Sequence, residues 1–215
     1  MPRRPSSNSQ AISGSDATQT AILDAAEEEF AEHGLVGAHT EVIASRSGVT
    51  KTMIYYYFDN KEGLYLAMLK RLFTQRFSLI NEMNFKQFSP EEALKNFIHQ
   101  FISEISLNPN FPKIMLHEAL QNKGKYYKQI GVLFLYKKLK AILERGMASG
   151  VFRKLEPQYV AVDIVGICVF YFCVYENIKH LWPKKQLFSE EMLEQHKSEA
   201  LNLILAGVKL NEGNG

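Results

Sequence analysis

Apolar residues recur every three or four positions along most of the chain, which is the period of an amphipathic α-helix. The first such segment spans 17–33 and is followed by Gly34, a residue typical of helix ends. Its apolar face carries Ile22, Ala26 and Phe30. No segment shows the sustained apolar and polar alternation that predicts a β-strand. The pattern therefore predicts an all-α protein of about nine helices.

Helix start and stop residues divide the rest of the chain. A long helix is predicted to begin at Asn60 and Lys61 and to run to about Ile80. The run Ser89-Pro90-Glu91-Glu92 predicts another helix start, because Pro fits the first helical position and acidic side chains interact favourably with the helix dipole there. Further helices are predicted from Pro112, from about Tyr126 to Ser149, from Pro157 to Leu181, and from Ser189 to Val208.

The predicted helices suggest three regions. Residues 1–16 are rich in Ser, Asn, Gln, Gly and Pro, and we expect them to form a disordered arm because they hold too few apolar side chains to offset the entropy of ordering. Residues 17–62 hold three predicted helices, and residues 63–215 hold the remainder, which we expect to form a helical bundle.

The sequence gives no sign of export or of a membrane span. The first twenty residues lack the apolar stretch of a signal peptide. The apolar run 160–175 is shorter than the roughly 20 residues that a span needs, and it contains Asp163. Cys168 and Cys173 would lie about 140° apart on one helix, so we expect core positions rather than a disulfide. We therefore expect a cytoplasmic protein with no membrane partner.

The segment 40–58 has the residues that a helix-turn-helix requires. This motif packs two short helices around a tight turn, and it needs a small residue at the crossing, a Gly at the turn and apolar contacts to a third helix. Ala44 and Gly48 meet the first two needs, and Ile43 and Ile54 supply apolar contacts. Thr50 is predicted as the N-cap of the second helix.

The other side of the second helix carries side chains suited to double-stranded DNA. Lys51 supplies positive charge and Thr52 a short hydroxyl. The phenols of Tyr55 and Tyr56 can donate hydrogen bonds to phosphate oxygens. The next helix begins at Lys61, whose ammonium would form a phosphate site beside the free backbone N–H groups of the helix start.

The pattern Ile-Ala-x-x-x-Gly-Val-x-x-x-x-Ile-Tyr-x-Tyr-Phe-x-x-Lys-Glu-x-Leu, from Ile43 to Leu64, resembles the DNA-binding domain of the TetR family of transcriptional regulators. The remainder is similar to that family in outline and bears a weak resemblance to its RutR-like branch. His39 departs from the family, which usually has Ser or Thr capping the second helix there. The resemblance implies that DNA is contacted by Thr40, Thr50, Lys51, Thr52, Tyr55, Tyr56 and Lys61.

The net charge of the segment gives weaker support for DNA binding. Residues 1–62 carry five basic and nine acidic residues, a net charge of −4, whereas the whole chain has +2. We expect local placement to matter more than this sum, with the acidic run 27–29 on the solvated face of the first helix and Lys51 and Lys61 at the interface. Arg3 and Arg4 could remain solvated or enter a minor groove.

The residue patterns of common enzymes and metal sites are missing from the sequence. No Glu precedes a His by three positions, and there is no Gly-rich phosphate loop, Cys-x-x-Cys or His-Glu-x-x-His. His117 and Glu118 are adjacent, so on a helix they would point about 100° apart and not form an acid–base pair. We therefore expect no catalytic residue, no metal and no cofactor, and a protein that is not an enzyme.

Aromatic side chains are frequent between residues 89 and 181, with few polar groups among them. Ordinary core packing explains most of them, but a cavity lined by aromatics with one or two polar anchors would suit a small apolar or aromatic ligand. The candidate ligand-binding residues are Phe101, His117, Tyr127, Phe170, Tyr171 and Asn177.

A single helix-turn-helix makes few contacts, so we expect a homodimer that places two recognition helices about 34 Å apart on a palindrome. Pro157 to Leu181 is too apolar around its circumference to be covered by one subunit alone. We therefore expect a four-helix dimer interface built by the helices Pro157 to Leu181 and Ser189 to Val208 of each subunit, and the resemblance implies the same pair. In the last helix, the residues expected to face the partner are Met192, Leu193, Ala200, Leu201, Ile204, Leu205 and Val208.

Together these features predict a DNA-binding transcriptional regulator, most simply a repressor that a small ligand releases from a palindromic operator. The long helix from Lys61 is expected to transmit the signal, because it begins at the proposed phosphate site and continues into the bundle. An alternative is a helical small-molecule carrier or enzyme without specific DNA binding. An activator or architectural protein would share the same motif.

Overall fold

A computed structural model describes residues 14–210 of the chain. Within this range the chain forms ten α-helices and no β-strand, and an isolated bridge pairs Phe152 with Lys209. The prediction of an all-α fold is confirmed. The helices are α1 (Gly14–Gly37), α2 (Thr40–Ser47), α3 (Lys51–Phe58), α4 (Lys61–Glu82), α5 (Pro90–Ser106), α6 (Asn110–Leu120), α7 (Leu133–Ala148), α8 (Pro157–Cys173), α9 (Tyr175–Ile178) and α10 (Glu190–Val208), with 3-10 turns at Phe85–Gln87 and Lys179–Leu181.

The helices belong to two compact units, and the division falls between Met68 and Leu69, inside α4. The predicted arm, 1–16, lies outside the described residues except for Gly14, Ser15 and Asp16, which form the first turn of α1. The predicted division lay nearby, after residue 62.

The first unit is built on the apolar face of α1. Ile22 and Phe30 are fully buried, as are Ile54 of α3 and Tyr65 of α4. The rings of Phe30 and Tyr65 meet edge to face, with centroids 4.9 Å apart. Full burial of an apolar side chain of this size contributes roughly 1.5–3 kcal/mol, so these side chains stabilise the packing of α1, α3 and the first turns of α4.

The predicted end of α1 at Gly34 is a kink rather than a stop. Gly34 has φ 67° and ψ −178°, and the helix resumes for a last turn to Gly37. Glycine adopts this left-handed φ without the steric cost that a side chain would impose. The kink therefore turns the end of α1 toward the start of α2.

In the second unit, α5 packs against α7, α8 and α10. Its predicted start is confirmed, because Ser89 and Glu92 form a capping box and Pro90 is the first helical residue. An aromatic cluster lies beneath it, in which Phe77 of α4 contacts Phe101 and Phe111 with centroids 5.4 and 5.3 Å apart.

The predicted start of α7 near Tyr126 is wrong. Residues 121–132 form consecutive turns, and α7 begins only at Leu133. Gly124 and Gly131 have left-handed φ values of 68° and 75°, which interrupt a helix. The fully buried Glu118 carboxylate accepts a hydrogen bond from the Tyr126 backbone N–H at 2.7 Å, so the turns are tied to α6.

The predicted helix from Pro157 to Leu181 is also wrong, since it is broken at Val174. This residue has φ −112° and ψ 18°, and the segments on its two sides are bent by 62°. No single helix among the described residues is long and apolar enough to cross a membrane. The bent pair satisfies length and composition only when its two arms are taken together.

The predicted start of α10 is confirmed, because the Ser189 hydroxyl accepts a hydrogen bond from the Met192 N–H. The prediction of which residues face a partner subunit is wrong for four of them. Met192, Ala200, Ile204 and Val208 are buried within the subunit's own second unit. Leu203, which the sequence did not single out, is 63% exposed.

Gly146 of α7 lies against the buried Phe152 ring. A Cβ at Gly146 would stand 1.9 Å from Cδ2 of Phe152, and the ring has little room to move because it is itself 2% exposed. We expect Gly146→Ala to lower the free energy of unfolding by about 1–3 kcal/mol through overpacking, measured by urea denaturation. In a Phe152→Leu background the same substitution should cost clearly less. Equal costs in both backgrounds would contradict the contact.

Candidate nucleic-acid interface and ligand cavity

The helix-turn-helix formed by α2 and α3 is organised by its turn and its cap. Gly48 ends α2 in the left-handed conformation, at φ 71° and ψ 21°. Thr50 caps α3, its hydroxyl accepting a hydrogen bond from the Met53 backbone N–H at 3.2 Å. Both residues have the roles that the sequence predicted.

The start of α2 is held by a residue from α1. His39 occupies the N-cap position without a side-chain capping bond. Its backbone N–H instead donates to Oε1 of Glu29 at 3.0 Å, and Nη1 of Arg46 lies 3.5 Å from Oε2 of the same carboxylate. The negative charge therefore satisfies a free N–H at the positive end of α2 and also binds the last turn of that helix.

The prediction that the acidic run 27–29 is solvated is therefore wrong for Glu29, which is 1% exposed. The sequence did contain a signal for this. Glu29 lies three residues after Ala26 and seven after Ile22, so helical periodicity puts it on the inward face. Buried charges of this kind are paired, and Arg46 is the partner.

The recognition helix α3 has a buried and an exposed side. Ile54 and Phe58 are buried, whereas Lys51 and Thr52 are exposed and Tyr56 is 82% exposed. This division agrees with the sequence prediction. It leaves on one face the ammonium, hydroxyl and phenol groups that can bond to phosphates and base edges.

Two predicted contact residues bond to each other in this structure. Thr40 is only 4% exposed, and its hydroxyl lies 3.2 Å from the phenol oxygen of Tyr55. Tyr55 is 36% exposed. This hydrogen bond links the first turn of α2 to the middle of α3.

Lys51 is paired with an acidic neighbour. Its ammonium donates to the Glu41 carboxylate and lies 5.6 Å from the centroid of the Tyr55 ring. The hydrogen bond raises the pKa of Lys51 and lowers the pKa of Glu41, so both groups are charged at neutral pH. DNA binding through Lys51 would therefore exchange a carboxylate partner for a phosphate.

Lys61, predicted to bind phosphate, contacts the end of α1. Its ammonium donates to the carbonyl oxygens of Val36 at 3.1 Å and Ala38 at 2.7 Å. These carbonyls belong to the end of α1 and the residue beyond it, where helical partners run out. Two of the three ammonium hydrogens are thus used within the protein, and one remains for an external oxygen.

Gly63 allows α4 to start close to the end of α3. A Cβ at this position would stand 2.1 Å from the Phe58 carbonyl oxygen. The Gly63 N–H donates to the Asn60 side chain at 2.8 Å, which caps the start of α4. The sequence did not single out Gly63 as functional, although a glycine in the first turn of a predicted helix is a signal of close backbone approach.

The second unit contains an aromatic cavity of about 280 Å³. Phe101 and Tyr127 line it, as predicted. It also involves residues that the sequence did not single out for this role, because their inward direction depends on how the helices pack. These are Phe73, Phe77, Phe111, Met115, Leu116, Val132, Leu135, Tyr136, Val162, Val165, Gly166, Val169 and Cys173.

Four predicted ligand residues lie outside this cavity. Phe170 is 65% exposed and Asn177 is exposed on α9, while His117 is half-buried on α6. Tyr171 donates its phenol to the Leu187 carbonyl at 2.8 Å and stacks on His196. For Phe170, the reason is the orientation of α8, which turns Val165 and Val169 toward the cavity and Phe170 away from it. Asn177 lies beyond the break at Val174, on the separate short helix α9.

A groove of about 450 Å³ borders the cavity. The cavity and groove share Tyr127, Tyr136 and Val162. The Tyr127 phenol donates to the Tyr136 phenol oxygen at 3.3 Å at this boundary. Burial raises the pKa of Tyr127, so its phenol stays protonated and can act as a hydrogen-bond donor.

The role of Glu29 can be tested by truncation. We expect Glu29→Ala to destabilise the helix-turn-helix by about 1.5–3 kcal/mol, because it leaves the His39 N–H and Arg46 without their shared partner. Amide hydrogen exchange across α2 measures this locally. The control is Glu28→Ala, since Glu28 is 66% exposed and lies 3.8 Å from Arg46, and it should cost less than about 1 kcal/mol. Similar exchange rates in the two variants would show that the buried carboxylate does not hold α2.

Each of the two units matches a known protein family model. Residues 22–68 match the family of bacterial regulatory proteins named tetR, and residues 90–204 match the tetracyclin repressor-like C-terminal domain. The transcriptional repressor NicS of Pseudomonas putida is 27% identical over 167 residues, covering 73% of this chain and 76% of NicS. The transcriptional regulator RutR of Escherichia coli is 27% identical over 146 residues, covering 67% and 68%.

Solved structures support the fold. HlyIIR, a hemolysin II transcriptional regulator, superposes with a TM-score of 0.64 at 24% identity, covering 92% of this chain and 100% of its own. A mutant of HlyIIR in which a short linker replaces an internal segment gives a TM-score of 0.71 at 24% identity and covers 94% of this chain. Because the family matches span both the helix-turn-helix and most of the bundle, the chain belongs to the TetR family and is a DNA-binding transcriptional regulator.

Proposed function

We propose that this protein is a ligand-responsive repressor that binds a palindromic operator as a homodimer in the cytoplasm. The observation that carries the proposal is that one chain combines an exposed polar recognition helix with an aromatic cavity in a separate unit. The relative NicS is named a repressor, which favours repression over activation. A carrier or enzyme that merely retained the fold would have no need of the exposed face of α3.

The proposed DNA contacts begin with the exposed face of α3. Tyr56 and Thr52 are free to reach the backbone or base edges, and Lys51 can leave Glu41 for a phosphate. Thr50 and Tyr55 border the same face. Thr40 supports it through its hydrogen bond to Tyr55, and Lys61 would add one remaining ammonium hydrogen at the start of α4.

The proposed dimer uses α8 and α10. Tyr159, Val162 and Phe170 on α8 are 76%, 54% and 65% exposed, and their spacing places them along one side of the helix. A cleft between the two helices is lined by Ile167 and Leu203, so the exposed sides border each other. An exposed apolar surface of this kind favours association with a second copy.

The proposed signal runs through α4. Phe73 and Phe77 of this helix line the cavity, and the same helix begins at Lys61. A ligand can release DNA only if it binds one arrangement of the recognition helices better than the other. By linkage, the ligand must bind the DNA-bound dimer more weakly by the same factor by which it weakens DNA binding.

DNA recognition is tested on an operator selected from genomic fragments. We expect Tyr56→Ala to weaken operator binding at least tenfold in a shift assay, because it removes the most exposed phenol of the α3 face, and thermal unfolding of the variant verifies that the fold survives the loss of its ring contact with Tyr57. Lys51→Gln should make the slope of log K against log salt concentration shallower, by the contribution of about one phosphate contact. The control is Lys184→Gln, which removes an exposed positive charge from the other unit. Unchanged affinity in Tyr56→Ala would reject the assigned face, and selection that enriches no fragment would favour the carrier alternative.

The dimer is tested by placing a charge on α8. We expect Phe170→Glu to shift sedimentation from dimer to monomer at micromolar concentration, because burying an unpaired carboxylate is strongly unfavourable. The matched control is Leu120→Glu, at a leucine of α6 that is 76% exposed. If both variants remain dimeric, another surface pairs the subunits.

A further inference from the structure

The ligand site has two parts of different chemistry. The inner cavity is lined by aromatic and aliphatic side chains, with the Tyr127 and Tyr136 phenols and the Cys173 thiol as its polar groups. The bordering groove also has apolar walls, but it adds Lys137, Lys140 and Gln158.

Both charged residues that line the groove are lysines. No Asp or Glu is among the described residues that line the cavity or the groove. Lys137 and Lys140 are both exposed and lie one helical turn apart on α7. Lys140 is 3.7 Å from Glu144, which sits a turn further along the helix and outside the groove. A ligand in the groove therefore meets two ammonium groups on one side.

The residues shared by the cavity and the groove include two phenols that can form hydrogen bonds to a ligand. Tyr127, Tyr136 and Val162 line both, and the Tyr127 phenol is hydrogen-bonded to Tyr136. A phenol pair at such a boundary offers a donor and an acceptor to a polar atom passing between the parts. Ligand sites of this size are mostly apolar, with a few polar groups that fix the orientation.

From this arrangement we infer that the effector is an amphiphilic anion, whose apolar body occupies the aromatic cavity and whose anionic head group lies in the groove at Lys137 and Lys140. This inference rests on the proposed function, and it adds the chemical class and the orientation of the ligand. A neutral amphiphile would make the same apolar contacts without the ion pairs to the lysines, and a cationic amphiphile would be repelled by them.

Val162 lines the groove and also belongs to the exposed side of α8 that is proposed to pair with a second copy of the chain. A second copy of the chain could therefore border the groove. The continuity of the groove with the aromatic cavity, through the shared residues Tyr127 and Tyr136, favours a small anion that occupies both parts.

The test is calorimetric titration of the full-length protein with probes that share one tail. Decanoate and decyl phosphate represent two sources of an anionic head, and decanol and decylammonium are the neutral and cationic counterparts. We expect at least one anionic probe to bind tenfold or more tightly than decanol, and decylammonium to bind more weakly than both. Equal affinity of the anionic probes and decanol, or no binding of any probe, would overturn the inference.

The lysines are tested by a paired substitution. We expect Lys137→Gln with Lys140→Gln to remove most of the tenfold preference for the anionic probe while leaving the affinity for decanol within about twofold. The control Lys128→Gln removes an exposed lysine that lines neither part. Thermal unfolding of each variant verifies that the fold is intact. If the pair changes sedimentation but not anion affinity, the groove is occupied by a second copy and the inference fails.

The two levels of the proposal fail in different ways. Lysine-dependent anion binding by a protein that selects no operator would leave the ligand assignment standing and reject the repressor. Operator binding that is intact, with no preference for anionic probes, would reject the ligand assignment alone.

Discussion

The helix-turn-helix depends on one buried carboxylate. Glu29 extends from α1 to the backbone N–H of His39 and to Arg46, so it fixes both ends of α2 to the helix behind it. His39 has no side-chain oxygen to cap α2, and its partly buried backbone N–H would otherwise lack a partner in the protein. The Glu29 carboxylate supplies this partner and also opposes the positive end of the helix dipole. The position of α3 follows, because α3 is joined to α2 by a short turn.

The polar groups of the recognition face are held by bonds within the protein. Lys51 pairs with Glu41, Tyr55 with Thr40, and Lys61 with the carbonyl at the end of α1. Each of these bonds orders a side chain before any DNA is present, which lowers the entropy that binding must remove. In the proposed DNA contact, a phosphate would replace Glu41 as the partner of Lys51, so the net charge of −4 over residues 1–62 does not prevent this ammonium from facing DNA.

The cavity of the second unit lies beside a cluster of phenylalanine rings. The rings of Phe73, Phe77 and Phe111 contact one another at centroid distances of 5.2 to 5.8 Å, and they leave an apolar space beside α8. The buried Glu118 ties the turns before α7, and these turns carry Tyr127 to the boundary of that space. The rings of the aromatic core are also the lining of the cavity, so a ligand bound there, as proposed, would contact the side chains that pack the bundle.

The sequence by itself determined the all-α class, the turn at Gly48, the Thr50 and Ser89 caps and the exposed face of α3. These features depend on residues within four positions of one another, where periodicity and capping chemistry are readable. Only the tertiary structure decided the features that depend on distant partners. Glu29 is buried because Arg46 and His39 meet it, and Lys61 bonds to Val36 rather than lying free. Phe170 points outward while Val169 points inward, because the orientation of α8 is set by α5, α7 and α10 packing against it, and no local pattern in an apolar helix records that direction.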